Sequence, residues 1–231
     1  MDKATTTSVI EYLLSIREFC YALNHRAFSE EPTLEFLDVL LSNKTYDRLL
    51  LSGTDSKALE NLREYLISYA SQDREQLLSD LRDDYTYFFI GPRKLPAPPW
   101  ESVYTTGKDV LFQKETIDVR NAYRVEGYLP ADYPKVADDH IAIEASFVQK
   151  LAEKSKVAFV SGDAVECLRL LDAQKSFLDL HLSRWLPVFA KRLQENSRLR
   201  RFYPDMATHF SEFVVWDMKT IDELTEYLHD G

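Results

Sequence analysis

The sequence predicts an all-α protein: a single-domain helical bundle of about ten helices over residues 1–231, interrupted by a proline-rich loop. Three observations lead there. Apolar residues recur at spacings of three and four almost throughout. Only six glycines punctuate 231 residues, few for a turn-rich β chain. No two alternating segments are joined by a hairpin turn. With 45% hydrophobic residues, a chain of this length can bury roughly 70% of its unfolded surface.

The elements follow in order. Ile10, Leu13, Leu14, Arg17, Tyr21 and Ala22 trace one face of an opening helix. The run "TLEFLDVLL" over 33–41 reads as a short helix begun by Pro32 or Thr33. Leu59, Leu62, Leu66 and Ile67 mark another over about 55–70. Asp73 and Gln76 have capping-box spacing. Leu77, Leu78, Leu81, Tyr85, Phe88 and Phe89 then form a broad apolar face that runs into Gly91–Pro92.

Six of the nine prolines fall between Pro92 and Pro134. Proline lacks a backbone donor and biases its predecessor away from helix. Regular helix should therefore fail at about 91–106 and again at about 128–137. Between the breaks "LFQKETIDVRNAYRVEGY" resumes a helical pattern and stops at Gly127. From Asp138, "DDHIAIEASFVQKLAEKSKVAFV" is apolar on most sides, the pattern of a central helix surrounded by others. Asp138 or Asp139 is expected to cap it. Gly162–Asp163 with Glu166 marks the next start, and Pro187 is tolerable only if its helix opens close by. The last helices run from about 198 to 229.

Charge and cysteine content narrow the function. With 28 basic and 38 acidic residues the formal charge is −10, against a nucleic-acid footprint and in favour of a cationic partner. Cys20 and Cys167 lie among apolar helical residues and read as buried thiols, with no disulfide framework, which fits a reducing compartment. The segment "MDKATTTSVIEYLLSI" has no basic stretch before an uninterrupted apolar run, so neither a signal peptide nor a membrane span is expected. The histidines form no HxxxH or HExxH pair, and no GxGxxG or GxxxxGK[ST] occurs. No metal or cofactor is expected.

Two stretches stand out. "GPRKLPAPPWESVY", Gly91 to Tyr104, carries four prolines and a tryptophan. It reads either as a stiff connector whose Trp100 plugs the core, or as the wall of a peptide-binding groove made rigid by rings and prolines. Asp138–Asp139–His140, followed by Glu144, reads either as a cap with an ion pair, or as a carboxylate orienting an imidazole four residues away. Acid–base catalysis by Asp139 and His140, as in a small hydrolase, is chemically available, but no nucleophile or oxyanion arrangement accompanies it. A helical scaffold without pocket chemistry is the remaining alternative.

Three blocks in order resemble the TorD/DmsD-like redox-enzyme maturation chaperones. They are "YTYFFIGPRKLPAPPWESVY", with its aromatic pair before G-P and its P-P-W-x-S-V-aromatic run; "ADDHIAIEASF", with a D-H-I-x-x-E helix start; and "LHLSRWLPVFAKRLQENSRLRRFYPDMA". Val136, Asp138, Ala145 and Gln113 depart from the family's pattern. The resemblance implies a cytoplasmic, non-enzymatic chaperone. Its partner would be the catalytic subunit of a molybdopterin-dependent oxidoreductase of the dimethyl-sulfoxide-reductase type, bound through its twin-arginine signal peptide until cofactor insertion is complete. Carried over residue by residue, the binding site comprises Tyr85, Phe89, Pro99, Trp100, Tyr104, Asp139, His140 and Glu144. Apolar members would take the signal helix. Asp139, with Asp138 or Glu144, would meet its arginines. Weak guanine nucleotide binding, and a monomer or a helix-swapped dimer, are also within what the resemblance implies.

Overall fold

The computed structural model describes residues 3–52, 56–92, 94–105, 114–130 and 136–230. The chain is all-α. In order it forms α1 (Lys3–Ser29), α2 (Leu34–Leu41), α3 (Asn43–Leu51), α4 (Lys57–Ala70) and α5 (Arg74–Tyr85). The last continues into a π-helical turn at Thr86–Ile90. Then come α6 (Glu101–Thr105), α7 (Lys114–Val125), α8 (Ile141–Ser161), α9 (Ala164–Leu180), α10 (Leu182–Glu195) and α11 (Phe202–Asp230).

Local chemistry sets most of the ends. Thr33, Asp73 and Asp163 N-cap α2, α5 and α9, each side chain accepting a first-turn N–H. At Asp73 the box is only half made, because Gln76 turns forward to Asp80 at 2.8 Å. Gly127 (φ +66°) and Gly162 (φ +81°) stop α7 and α8 in the left-handed region. In both, the next residue's N–H returns to the carbonyl five positions back, Tyr128 to Tyr123 at 2.8 Å and Asp163 to Ala158 at 2.9 Å.

The sequence pattern and the fold differ in four places. α3 has only Thr45 and Leu49 buried, so its apolar rhythm is too sparse to announce it. The expected interruption holds a one-turn helix, α6; the expected break beyond Thr105 and the residues up to Gln113 lie outside the described residues. α10 opens at Leu182, which leaves Pro187 at the sixth helical position rather than the first turn. Finally, the turn at 196–201 precedes one long helix, α11, where more than one helix was expected over about 198–229.

α8 is the central helix. It packs along α1 on one side and α9 on the other, while α11 covers α10, α4 and α9. Ala142, Ala145, Ala152 and Ala158 are buried, and their small side chains let neighbouring backbones approach. One apolar core extends from Ile10 to Leu224. Inside it Arg17 of α1 pairs with Asp217 of α11, both side chains fully buried. Gln174 of α9 accepts from Arg17 at 2.7 Å, and Tyr21 donates to Asp217 at 2.8 Å. Cys20 and Cys167 are free and buried, and burial pushes the Cys167 thiol up to about 11. Among the described residues no helix is long and apolar enough to cross a membrane.

Candidate functional site

The proline segment ends by pairing with the start of the central helix. Ile141 N–H donates to Pro99 O at 2.9 Å and Glu101 N–H to Asp139 O at 2.9 Å. They bracket an isolated antiparallel bridge between Trp100 and His140. Proline cannot donate, but its carbonyl accepts, so Pro99 serves here while its ring stiffens the approach. The two rings meet edge to face, centroids 5.5 Å apart. Both side chains are half-buried. Trp100 Nε1 is enclosed without an acceptor.

The acidic residues behave otherwise than expected. His140, not Asp138 or Asp139, caps α8: its Nδ1 accepts the Ala142 N–H at 3.1 Å. An imidazole that accepts at Nδ1 carries its proton on Nε2, and burial, with His25 nearby, holds its pKa down to about 4. Asp139 is fully buried; its Oδ2 accepts from Ser102 N–H at 3.0 Å and its Oδ1 from Thr116 at 3.1 Å. Asp138 is taken by Arg120, 2.7 Å from Nε. Glu144 does not orient the imidazole; its Oε2 accepts from Trp185 Nε1 at 3.2 Å. Burial, reinforced by the carboxylates of Glu101 and Asp139, pushes the Glu144 pKa well up. Glu101 in turn faces His181 Nδ1 at 3.0 Å.

The donors that tertiary structure brings to Asp138 and Asp139, from residues 102, 116 and 120, win over the local capping role. No open carboxylate is left among Asp138, Asp139 and Glu144 to receive a guanidinium. The same geometry gives no acid–base dyad, since neither Asp139 oxygen is aimed at the imidazole. Among the described residues no three His, Cys, Asp or Glu side chains are grouped to hold a metal.

The aromatic residues form two linked clusters. Tyr85 and Phe89 lie 5.3 Å apart, and Tyr203 (5.0 Å) and Phe28 (5.9 Å) contact Phe89. Tyr104 stacks on Trp185 at 5.5 Å and meets Phe189 at 6.0 Å. Phe28 and Phe189, 6.0 Å apart, join the clusters. Tyr104 is pinned by its hydroxyl to Pro98 O at 2.8 Å. Of the expected site, Phe89, Trp100, Tyr104 and His140 reach the surface, whereas Tyr85, Pro99, Asp139 and Glu144 are buried. Sequence reasoning did not single out Glu101, Trp185, Phe189 and Phe28. Trp185 and Phe189 were visible as a W-x-x-x-F step inside the third block; Phe28 and Glu101 gave no separable signal.

The family model for the nitrate reductase delta subunit matches residues 51–191, a span that contains every expected site residue. The chain belongs to this family. The resemblance to TorD/DmsD-like chaperones is thereby borne out, and curated relatives agree. The chaperone protein TorD of Vibrio cholerae (strain O395) is 28% identical over 189 residues, covering 79% of this chain and 82% of its own length. TorD of Aliivibrio fischeri is 29% identical over 157 residues, 65% of this chain and 68% of that one. The Tat proofreading chaperone DmsD of Salmonella typhi is 29% identical over 126 residues, 54% and 55%. The family match thus covers the proline segment, the start of α8 and most of α10 together.

Proposed function

We propose that this protein is a cytoplasmic, non-enzymatic maturation chaperone that binds the twin-arginine signal peptide of a molybdopterin-dependent oxidoreductase before export. Membership of a family whose relatives are named chaperones, one of them for Tat proofreading, supports the reading. The observation that carries it is the set of half-exposed rings Phe89, Tyr104, Trp100 and His140, the last two anchored by the bridge between the proline segment and α8. Half-exposed rings on a fixed backbone suit the apolar face of a signal helix.

The cationic end of the peptide then needs carboxylates outside the buried group. Glu31 is exposed, its Oε1 lies 3.4 Å from Thr86 Oγ1, and its charge acts on the neighbouring Tyr85. It takes the role first expected of Asp139. The test is a titration of the signal peptide of the host's molybdoenzyme by calorimetry, with wild type, Trp100→Ala and Glu31→Gln. Trp100→Ala should weaken binding by about 2 kcal/mol or more, roughly thirtyfold. Glu31→Gln should weaken it less, and mainly at low salt. Thermal melts run alongside separate lost binding from lost folding. Absence of binding by wild type, or unchanged affinity in a folded Trp100→Ala chain, would overturn the assignment.

A further inference from the structure

The chain is strongly acidic, yet Arg198, Arg200 and Arg201 fall within four residues in the turn between α10 and α11. The turn is built rather than loose. Arg200 N–H donates to Ser197 O at 2.8 Å. Arg198 sits at φ 53°, the one non-glycine residue in the left-handed region among those described. Such a position favours glycine, so the arginine there holds a strained backbone. Arg200 is fixed, its guanidinium 4.1 Å over the Tyr87 ring and 2.8 Å from Asp84. Arg198 and Arg201 are exposed; Arg198 Cζ lies 5.7 Å from the Tyr87 ring centroid, and no ion pair to either is formed among the described residues. Between them Leu199 is 95% exposed, more than any other large hydrophobic residue described.

This ridge separates two hollows. One of about 440 Å³ is lined by Asn61, Gln194 and the three arginines, with Asp205 also among the lining residues. The other, of about 590 Å³, is lined by Tyr87, Pro92, Lys94 and Pro96 together with Arg198 and Arg200. A small phosphorylated ligand would use the guanidinium groups and leave Leu199 in water. A protein surface uses both, because arginine forks match carboxylates while an apolar tip fills a dry spot. Asp83 and Asp205 also line the hollows, but the exposed Arg198 and Arg201 disfavour a cationic leader at the turn itself.

We propose that the Ser197–Arg201 turn docks an acidic segment of a partner protein, with Arg198 and Arg201 as the charge-reading groups and Leu199 as the apolar contact. The proposal stands independently of signal-peptide binding.

The test measures fluorescence anisotropy of a labelled twelve-residue peptide of eight glutamates and four leucines, titrated with the full chain at low and at physiological salt. Wild type should bind, more weakly as salt rises. Arg198→Glu with Arg201→Glu should weaken binding at least tenfold, and Leu199→Ala severalfold. The charge-matched pair Lys44→Glu with Lys219→Glu, both exposed and elsewhere, should change it less than twofold. Arg198→Lys with Arg201→Lys should restore much of the binding, and thermal melts should show all variants folded.

The proposal is overturned if the peptide does not bind, or if the control pair weakens it equally. It is also overturned if millimolar pyrophosphate displaces the peptide while Leu199→Ala has no effect, which indicates a small-anion site. Dimerisation of the wild type that Arg198→Glu with Arg201→Glu abolishes would instead assign the turn to a second copy. Signal-peptide affinity unchanged in Arg198→Glu with Arg201→Glu keeps the two sites apart.

Discussion

At the scale of single residues, His140 carries two tasks: it packs edge to face with Trp100, and it accepts the Ala142 N–H at Nδ1, which requires that nitrogen to be unprotonated. Protonation would fill the accepting lone pair and place a charge beside His25 of α1. Its native pKa is therefore held down to about 4, by burial and then by His25, against about 6.5 in an unfolded chain. Between those values the unfolded chain binds a proton that the native chain refuses, so this contribution to stability is present above pH 6.5 and lost as pH falls to 4. His209 acts in the same direction, burial holding it to about 4. Asp84 acts oppositely: burial raises it to about 6, which favours the native state as pH falls through that value. A comparison that isolates His140 is wild type against His140→Asn, since asparagine also caps well. Urea unfolding from pH 7.5 to 4.5 should show wild type losing stability relative to the variant below 6.5, and a constant difference would refute the assignment. His140→Ala, which removes the cap at every pH, should cost about 0.5–2 kcal/mol.

Among elements, the decisive joint is the one that holds α6 and α7 to the start of α8. Asp139 accepts from Ser102 at the head of α6 and from Thr116 in α7, while the Asp138 carbonyl accepts from Tyr123 in α7 at 2.9 Å. Asp139→Ala strands two buried donors at about 1–3 kcal/mol each. The urea midpoint should fall by the equivalent of about 2–6 kcal/mol on that basis, and Asp139→Asn should recover part of the loss. A variant as stable as wild type would show that the joint is not a support. This joint also marks where sequence reading ends. Thr33, Asp73 and Asp163 were legible as caps because donor and acceptor are three residues apart. Gly127 was legible as a stop because the left-handed turn is a property of one residue, whereas Gly162 was read only as part of the next helix start. Asp138 and Asp139 look like the same signal, but their donors come from residues 102 to 120, and no local spacing records that pairing. The juxtaposition of Trp100 with His140 was legible only through the ordered blocks, since 40 residues separate them.

Over the whole molecule, the widest separation is bridged by the buried group Arg17, Tyr21, Gln174 and Asp217, which ties α1, α9 and α11 together. The spacing of α1 placed Arg17 on the apolar face, yet nothing local to Asp217 announces that it is the partner, 200 residues away. The group is imperfectly satisfied, because Arg17 Nη1 is enclosed with no acceptor. A buried pair of this kind holds geometry more than it adds stability, since desolvation offsets much of the attraction. Breaking one half is different: Asp217→Ala leaves a buried guanidinium and the Tyr21 hydroxyl unpaired and should cost about 3–5 kcal/mol. Replacing the group by apolar residues of similar size, Arg17→Met with Tyr21→Phe and Asp217→Leu, should return stability to within about 1–4 kcal/mol of wild type on either side. Both effects are read by urea unfolding. Because the group lies in the frame of α1, α9 and α11 rather than among the half-exposed rings from Phe89 to His140, signal-peptide affinity measured well below the melting temperature should be unchanged in the triple variant. If affinity falls while the variant remains folded, the frame and the binding face are coupled, and the half-exposed rings do not act as a rigid, preformed surface.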